Sequence, residues 1–170
     1  MPRGERAENA DYGASGYDNG HMAPANDFTR SVEAMKATFI LTNAVPQKHG
    51  VNGGKWAQLE GAVHDLAAEN GTAWILSGPV FAGKTPKTIG PHEVAVSTHT
   101  YKVVLLVRPN GEKETFAFVL PNIDKPTGTI SDYTFSVNQV EKLTGLNFYD
   151  VLPVAEQNKL ERAVNGLPGR

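Results

Sequence analysis

The sequence predicts an α+β fold with a largely antiparallel sheet. Three observations support this class. Strand-like runs outnumber helix-like runs, the two kinds alternate irregularly along the chain, and a hairpin turn at 109–112 joins two of the longest strand-like runs. Regular βαβ units, which would indicate a parallel sheet, are absent from this pattern.

The strands are predicted from runs rich in β-branched and aromatic residues. These runs lie at 38–43, 72–76, 94–97, 101–108 and 115–120. The first is expected to be a buried strand. In the turn between the last two, Asn110 and Gly111 are expected to supply positive φ angles.

Apolar residues at helical spacing predict the helices, and local signals mark their ends. The clearest helix is expected at 55–69, ended by Asn70 and Gly71. A shorter helix is predicted at 31–38. Ser136 and Gln139 form a capping box that opens another helix, which Gly145 ends. A last helix, to about residue 164, is expected to have Pro153 in its first turn.

The remaining segments are predicted to be loops. Residues 1–30 show no clean periodicity and suggest at most a short strand around Tyr17. Residues 43–54 contain one proline and three glycines, which are typical of loops.

Length and composition limit the function classes. A chain of 170 residues is expected to form a single domain over 1–170. The absence of cysteine excludes disulfides, thiolate metal sites and a cysteine nucleophile. The apolar run at 103–107 is too short to cross a membrane, so no membrane partner is expected. Residues 1–30 lack an apolar h-region, which predicts no signal peptide in this chain.

Charge is distributed unevenly along the chain. The net charge is −2 overall, which alone argues against a generic basic nucleic-acid coat. By segment, however, it is −3 over 1–35, +3 over 36–113 and −2 over 114–170. The basic middle weakly favours an anionic ligand there.

Residues 78–85 match the phosphate-loop pattern G-x-x-x-x-G-K-[ST]. A true phosphate loop needs a long helix directly after its last residue. Here Pro86, Gly90 and Pro91 allow one helical turn at most. We therefore interpret the match as a strand-to-loop junction that fits the pattern by chance, and a nucleotide-binding function is improbable.

A second pattern places polar side chains along one helix face. Asn52, Trp56, Glu60 and His64 are four residues apart, so they follow one slowly drifting face. Taken singly, each has an ordinary structural explanation, as a cap, core residue or solvated position. A polar line of this kind, facing a loop that holds His21, can bind a hydrated hard cation.

These segments resemble the DNA/RNA non-specific endonucleases with a ββα-metal finger, which include Serratia-type nucleases and the endonuclease G group. The family signature is D-R-G-H, then N-x-x-P-Q, then N-x-x-x-W-x-x-L-E, and the matching segments here are 18–21, 43–47 and 52–60. Further similar segments lie at 6–12, 77–81, 101–104, 118–122 and 143–148. The resemblance implies the ββα-metal (His-Me finger) nuclease fold, with helices flanking a mainly antiparallel sheet.

The resemblance also implies roles for individual residues. His21 would be the general base that takes a proton from water. Asn52 would be the direct protein ligand of Mg²⁺, with Mn²⁺ as an alternative, and Glu60 would hold the metal's waters. Asn43 and Gln47 would help to position His21, the metal water or the phosphate.

Three departures from the family pattern concern charge and length. Asn19 stands where the signature has arginine, which replaces a charge with neutral hydrogen bonds. His64 stands where the family often has arginine. The chain is expected to be shortened at its N-terminus relative to the family. The basic residues expected to compensate at the substrate are Lys48, Lys55, Arg6 and Arg3.

The implied function is Mg²⁺-dependent hydrolysis of phosphodiester bonds in DNA and RNA, which gives 5′-phosphorylated fragments. The alternative is a nuclease-derived nucleic-acid binder with little or no activity, because Asn19 and His64 lack the charge of arginine. The family further implies a homodimer, secretion and an unidentified protein inhibitor.

Overall fold

The computed structural model describes residues 6–168. Its first half contains short elements, listed here in chain order: α1 (Asn9–Tyr12), β1 (Asp18–His21), α2 (Val32–Ala37), β2 (Ala44–Gln47), a π-helix (Val51–Trp56) and α3 (Ala57–Asn70). Its second half contains β3 (Thr72–Val80), β4 (Thr88–Ile89), β5 (Val94–Ala95), β6 (His99–Val107), β7 (Lys113–Pro121), β8 (Thr134–Phe135), α4 (Val137–Thr144) and α5 (Val154–Arg162). Single 3₁₀ turns lie at Ala25–Phe28, Leu41–Asn43 and Ile130–Tyr133.

A four-stranded antiparallel sheet, in the order β3-β6-β7-β8, is the centre of the fold. Four of the predicted strands are confirmed, those at 72–76, 94–97, 101–108 and 115–120, and three of these four are longer than expected. In the β6–β7 turn the Arg108 N–H donates to the Glu112 carbonyl at 2.8 Å. Of the two turn residues, Gly111 alone has a positive φ, 84°, so the expectation for Asn110 was wrong.

Both faces of the central strands β6 and β7 are buried. Successive side chains of β6 point to opposite faces. Val104 and Leu106 join the core beneath α3, whereas Val103 and Leu105 join a second core with α4 and α5. Burial on both sides explains why the central strand is a continuous apolar run.

The helix signals in the sequence are confirmed. Ser136 and Gln139 form the capping box of α4, and Gly145 follows it with φ 75°. Pro153 caps α5, and Gly71 ends α3 with φ 144°. Among residues 6–168, no helix is both long and apolar enough to cross a membrane.

The strand predicted at 38–43 is wrong. The segment forms a turn and the 3₁₀ helix Leu41–Asn43, and the strand β2 follows it. Phe39 and Ile40 are 59% and 56% exposed, so their apolar character does not indicate burial here. The Asn43 side chain closes the turn by donating to the Thr38 carbonyl at 2.8 Å.

The loop predicted at 43–54 is also wrong, because it contains β2 and the start of the π-helix. The glycines in this segment suggested a loop, but Gly50 is there because close packing leaves no room for a side chain. A Cβ on Gly50 would lie 1.6 Å from the Asp124 carbonyl oxygen. The π-helix continues directly into α3, whose apolar spacing did predict a helix.

Strand β1 pairs antiparallel with β2 in a separate two-stranded sheet. Asn122, just after β7, fixes this small sheet to the large one. Its amide nitrogen donates to the carbonyls of Pro46 and Ser97 at 2.8 and 2.9 Å, and its amide oxygen accepts from the Lys48 N–H at 2.7 Å. The position of the small sheet therefore depends largely on this half-buried amide.

The segment that resembles a phosphate loop begins within β3 and continues into irregular chain. The next element after it is the two-residue strand β4, and no helix follows Thr85. The structure therefore agrees with the interpretation of a chance match.

Candidate active site

His21 is the last residue of β1 and lies opposite Ala44 of β2. Its ring meets the ring of Phe39 nearly at right angles, with centroids 5.1 Å apart. Its backbone carbonyl accepts a hydrogen bond from the Trp56 indole N–H at 3.1 Å. Two aromatic side chains therefore fix both the backbone and the ring of the predicted general base.

The glycine before His21 is required by packing. A Cβ on Gly20 would lie 2.0 Å from the Gln47 side-chain oxygen. Gln47 is fully buried beneath β1, and its amide nitrogen donates to the Thr100 hydroxyl at 3.3 Å. This placement does not support the substrate contact predicted for Gln47, because β1 separates its side chain from solvent.

A cavity of about 220 Å³ opens beside His21. Its lining brings together three of the predicted site residues and the indole between them: His21, Asn52, Trp56 and Glu60. The loop at 24–26 closes one side. The first three residues of the predicted helix face, Asn52, Trp56 and Glu60, do line one cavity. Asn52 is presented by a π-turn rather than by an α-turn.

The Asn52 amide has a defined orientation. Its nitrogen donates to the Asp18 carboxylate at 3.0 Å, so its oxygen is the atom left for a ligand. The same carboxylate oxygen lies 2.9 Å from His49 Nδ1. The sequence reasoning assigned no role to Asp18 or His49, although Asp18 stands within the signature it used.

Glu60 carries a buried carboxylate oxygen without a hydrogen-bond partner. Burial raises the pKa of Glu60 to about 7, against the opposing effects of the Lys102 charge and the nearby Trp56 indole. A carboxylate in this condition favours a nearby cation or an ordered water.

Lys102 was missed by the sequence reasoning. It is 1% exposed, donates to the Ser77 hydroxyl at 2.9 Å, and lies 4.5 Å from the centroid of the Trp56 ring. Burial lowers the pKa of Lys102 to about 8, and Glu60 opposes that effect. The sequence feature that could have revealed this residue is a lysine directly before the apolar run at 103–107.

Asn43 lies close to His21 in the fold but not in the cavity. Its amide oxygen accepts from the Ala23 N–H at 3.0 Å, and its amide nitrogen donates to the carbonyls of Ala23 and Thr38 at 2.9 and 2.8 Å. Asn43 thus holds the chain that follows His21. These bonds fit the role predicted for Asn43, which is to help position His21, and its part in catalysis stays a prediction.

Asn19 is on β1, two residues before His21, so both side chains belong to the same face of the strand. The Asn19 side-chain oxygen is buried without a hydrogen-bond partner. The position therefore presents a neutral amide where the family signature has a cation.

Of the predicted basic residues that the structure describes, none lines this cavity. His64 is across from Glu60 in an adjoining cavity of about 400 Å³, 2.9 Å from an Asp27 oxygen. Lys48 lies 3.4 Å from Asp124, and Lys55 is half-buried on the π-helix. Arg6 lines a groove of about 870 Å³ that also includes Phe39. Arg3 lies outside the described residues.

The donor set around the cavity fits a hydrated hard cation. Within residues 6–168 there is no group of three or more His, Cys, Asp or Glu side chains that could hold a metal ion. A cation here would depend on the amide oxygen of Asn52, the unpartnered oxygen of Glu60 and water. Such oxygen ligands suit Mg²⁺, which usually retains several waters.

Comparison with known proteins places this geometry in a family. The sequence model for the DNA/RNA non-specific endonucleases matches residues 1–155. The mitochondrial nuclease EXOG of Xenopus laevis is 40% identical over 167 residues, covering 89% of this chain and 46% of the relative. Nuclease C1 of Cunninghamella echinulata var. echinulata is 38% identical over 160 residues, covering 88% of this chain and 64% of the relative.

Human mitochondrial endonuclease G is 33% identical over 154 residues, covering 84% of this chain and 52% of the relative. A crystal structure of an EndoG/EndoGI complex, which describes EndoG inhibition, has a chain that superposes with a TM-score of 0.84 and 31% identity, covering 90% of this chain and 67% of that one. The chain spans about half the length of most curated relatives cited here. The predicted ββα-metal fold is confirmed, and the chain belongs to the DNA/RNA non-specific endonuclease family.

Proposed function

We propose that this chain is a Mg²⁺-dependent endonuclease that hydrolyses phosphodiester bonds of DNA and RNA without sequence preference and leaves 5′-phosphorylated fragments. The observation that carries the proposal is the cavity shared by His21, Asn52 and Glu60. It joins an imidazole base to oxygen donors suited to a hard cation, in a chain of a nuclease family.

In this proposal His21 removes a proton from the attacking water. An imidazole nitrogen can accept that proton, and the ring is already oriented. Phe39 restricts the ring from one side, and the Trp56 hydrogen bond fixes the backbone from which it projects. The base is therefore oriented before substrate binds, which reduces the entropy lost in reaching the transition state.

Asn52 and Glu60 would hold the metal, Asn52 through its amide oxygen and Glu60 through water. A bound Mg²⁺ would supply charge stabilisation at the scissile phosphate and at the leaving 3′ oxygen. Asp18 keeps the Asn52 amide in the required orientation by accepting its N–H. Lys48, Lys55, His64 and Arg6 are proposed to contact more distant phosphates.

Phe39 supports recognition that is independent of sequence. It is 59% exposed, although it is held firmly against the His21 ring. An exposed aromatic ring beside a phosphodiester site can stack on any nucleobase, because every base has a π-face. The groove of about 870 Å³ lined by Phe39 and Arg6 would receive the strand on this side.

The test is digestion of plasmid DNA and of a structured RNA by the purified chain. We expect both polymers to be degraded with Mg²⁺ and to stay intact with excess chelator. The fragments should accept ligation or exonuclease treatment that requires a 5′-phosphate. Fragments with 5′-hydroxyl ends, or full activity in chelator, would contradict the proposed chemistry.

One observation favours the alternative of a nucleic-acid binder with little activity. Asn19 provides no charge at the position that is arginine in the family signature, and its oxygen is buried without a partner. Intact DNA and RNA that nevertheless shift on a gel in the same assay would establish the binder and reject the nuclease.

The implied homodimer has a candidate surface at the edge strand β3. Its nine residues carry no charge, and Trp74 is 64% exposed, so the edge lacks the usual protection against pairing. A two-fold axis at Ile75 would place Trp74 opposite Leu76 of the second copy. We expect a dimer by light scattering that Leu76→Lys abolishes and that Val151→Lys, on another exposed apolar position, does not.

Inhibitor binding and compartment remain family-based proposals. The solved EndoG structure is described as an inhibitor complex, and we extend to this chain only the proposal that a protein inhibitor exists. The relatives named EXOG and endonuclease G are mitochondrial, whereas secretion of this chain stays a prediction.

A further inference from the structure

Lys102 is a buried cation whose burial needs an explanation. It lies on the central strand β6 and is 1% exposed. Lysine is almost never fully buried unless its charge is compensated, because desolvation of an ammonium is costly. Its Nζ donates to the Ser77 hydroxyl on β3 at 2.9 Å, which anchors the ammonium at one point.

The carboxylates of Glu60 and Asp27 also act on the charge of the ammonium, and its aromatic neighbour is the active-site indole. Lys102 Nζ lies 4.5 Å from the centroid of the Trp56 ring, within the range of a cation–π interaction. Trp56 is itself 1% exposed, and its N–H donates to the His21 carbonyl at 3.1 Å. An unbroken series of contacts therefore runs from Ser77 through Lys102 and Trp56 to His21.

We propose that Lys102 is a positioning residue for His21, acting through the Trp56 indole. The inference rests on the proposed nuclease function. An apolar side chain in this place would also pack on the indole, but without a preferred ring orientation. The ammonium favours the face of the ring and so sets the direction of the indole N–H. That hydrogen bond fixes the backbone of the base.

A double-mutant cycle tests this route. Lys102→Met removes the charge but keeps a long, unbranched side chain, and Trp56→Phe keeps an aromatic ring but removes the N–H. We expect each to lower kcat about tenfold or more on plasmid DNA, with KM changed by less than about threefold. If both act on one hydrogen bond, the double variant is no slower than the slower single variant. Multiplicative losses, or a change in KM alone, would overturn the proposal.

The fluorescence of Trp56 provides a readout that needs no nuclease activity. The chain has two tryptophans, so a Trp74→Phe background leaves Trp56 as the sole emitter. In metal-free protein without substrate, Lys102→Met in this background should shift the emission maximum and change its intensity. An unchanged spectrum would show that the ammonium does not contact the indole. If the wild-type chain cleaves nothing, the proposed function fails, while this measurement still decides the contact.

Ser77→Ala keeps the test falsifiable if Lys102→Met does not fold. Circular dichroism and thermal melting establish which variants are folded. Ser77→Ala removes only the anchor of the ammonium, so we expect a loss in kcat of about threefold to tenfold and an emission change in the same direction but smaller. If Ser77→Ala is folded and matches the wild type in both measurements, the proposal is wrong.

Discussion

The large sheet and the small β1–β2 sheet are built by different interactions. Strands β6 and β7 are apolar and buried on both faces, so side-chain packing fixes them. The small sheet has four residues in each strand and is held by three side-chain amides, of which Gln47 is fully buried and Asn43 and Asn122 are half-buried. Packing stabilises the first region, whereas directional hydrogen bonds position the second. Changes in the first should affect stability most, and changes in the second should affect activity most.

The largest effect on stability is expected from Phe118→Ala. Phe118 lies on β7 and is fully buried in the core beneath α3, so truncation leaves a cavity. We expect a loss of about 3–5 kcal/mol in the free energy of unfolding, measured by denaturant titration. Phe81→Ala, at a residue that is 45% exposed, serves as control and should change stability little. Equal losses would contradict the contrast between packed and positioning regions.

Asn43→Ala should lower activity more than it lowers stability. The variant loses three hydrogen bonds that hold the chain after His21. We expect an unfolding free energy lower by about 1–3 kcal/mol and a kcat lower by about tenfold to a hundredfold. Asn158→Ala, on the exposed surface of α5, is the matched control. A stability loss without a kcat loss would remove Asn43 from the positioning of His21.

Glu60→Gln should alter the pH dependence of stability in metal-free protein. The folded pKa of Glu60 is raised to about 7 from 4.5, so the folded state binds its proton more tightly than the unfolded state. Stability from this group is full below about pH 4.5 and is lost as pH rises through 7. The free energy of unfolding of Glu60→Gln, compared with that of the wild type, should therefore be higher at pH 8 than at pH 4.5 by about 1–2 kcal/mol.

Thermal melts between pH 4.5 and pH 8 measure this difference, with Glu33→Gln on the exposed side of α2 as control. If the thermal stability of Glu60→Gln and that of the wild type change with pH in parallel, burial does not raise the pKa of this carboxyl.

The smallest effect is expected from Asn19→Arg. The substitution restores the cation of the family signature on the face that carries His21. We expect cleavage at neutral pH to rise about threefold to tenfold, mainly through KM, because arginine binds phosphate with charge-assisted hydrogen bonds. Asn158→Arg adds the same charge on α5 and should leave the rate unchanged. A decrease in Asn19→Arg would mean that Asn19 has a role of its own.

The large sheet was predictable because burial leaves a pattern. The apolar run of β6, the turn at Gly111 and the cap at Ser136 each carry a local signal that the structure confirms. The region around His21 was not predictable in the same way. Phe39 and Ile40 are apolar but exposed, and a π-turn is not distinguished by spacings of four residues.

The site residues were predicted from the family motifs rather than from periodicity. His21, Asn52 and Glu60 do meet in one cavity. Asn43 and Gln47 belong to the same motifs, but the sequence did not show that their amides bond Ala23 and Thr100, because an amide in a motif does not reveal its partner. Lys102 shows the converse, since a residue outside the core motifs lies directly behind Trp56.

His21 is the residue on which the chemistry of the proposed nuclease depends. The most direct test of this dependence is the rate of plasmid cleavage by His21→Ala with Mg²⁺, compared with the wild type and with His99→Ala, whose histidine lies outside the cavity. We expect His21→Ala to be slower by about a hundredfold to ten-thousandfold, with an unchanged melting temperature, and His99→Ala to match the wild type. A folded His21→Ala variant that cleaves at the wild-type rate would contradict the account.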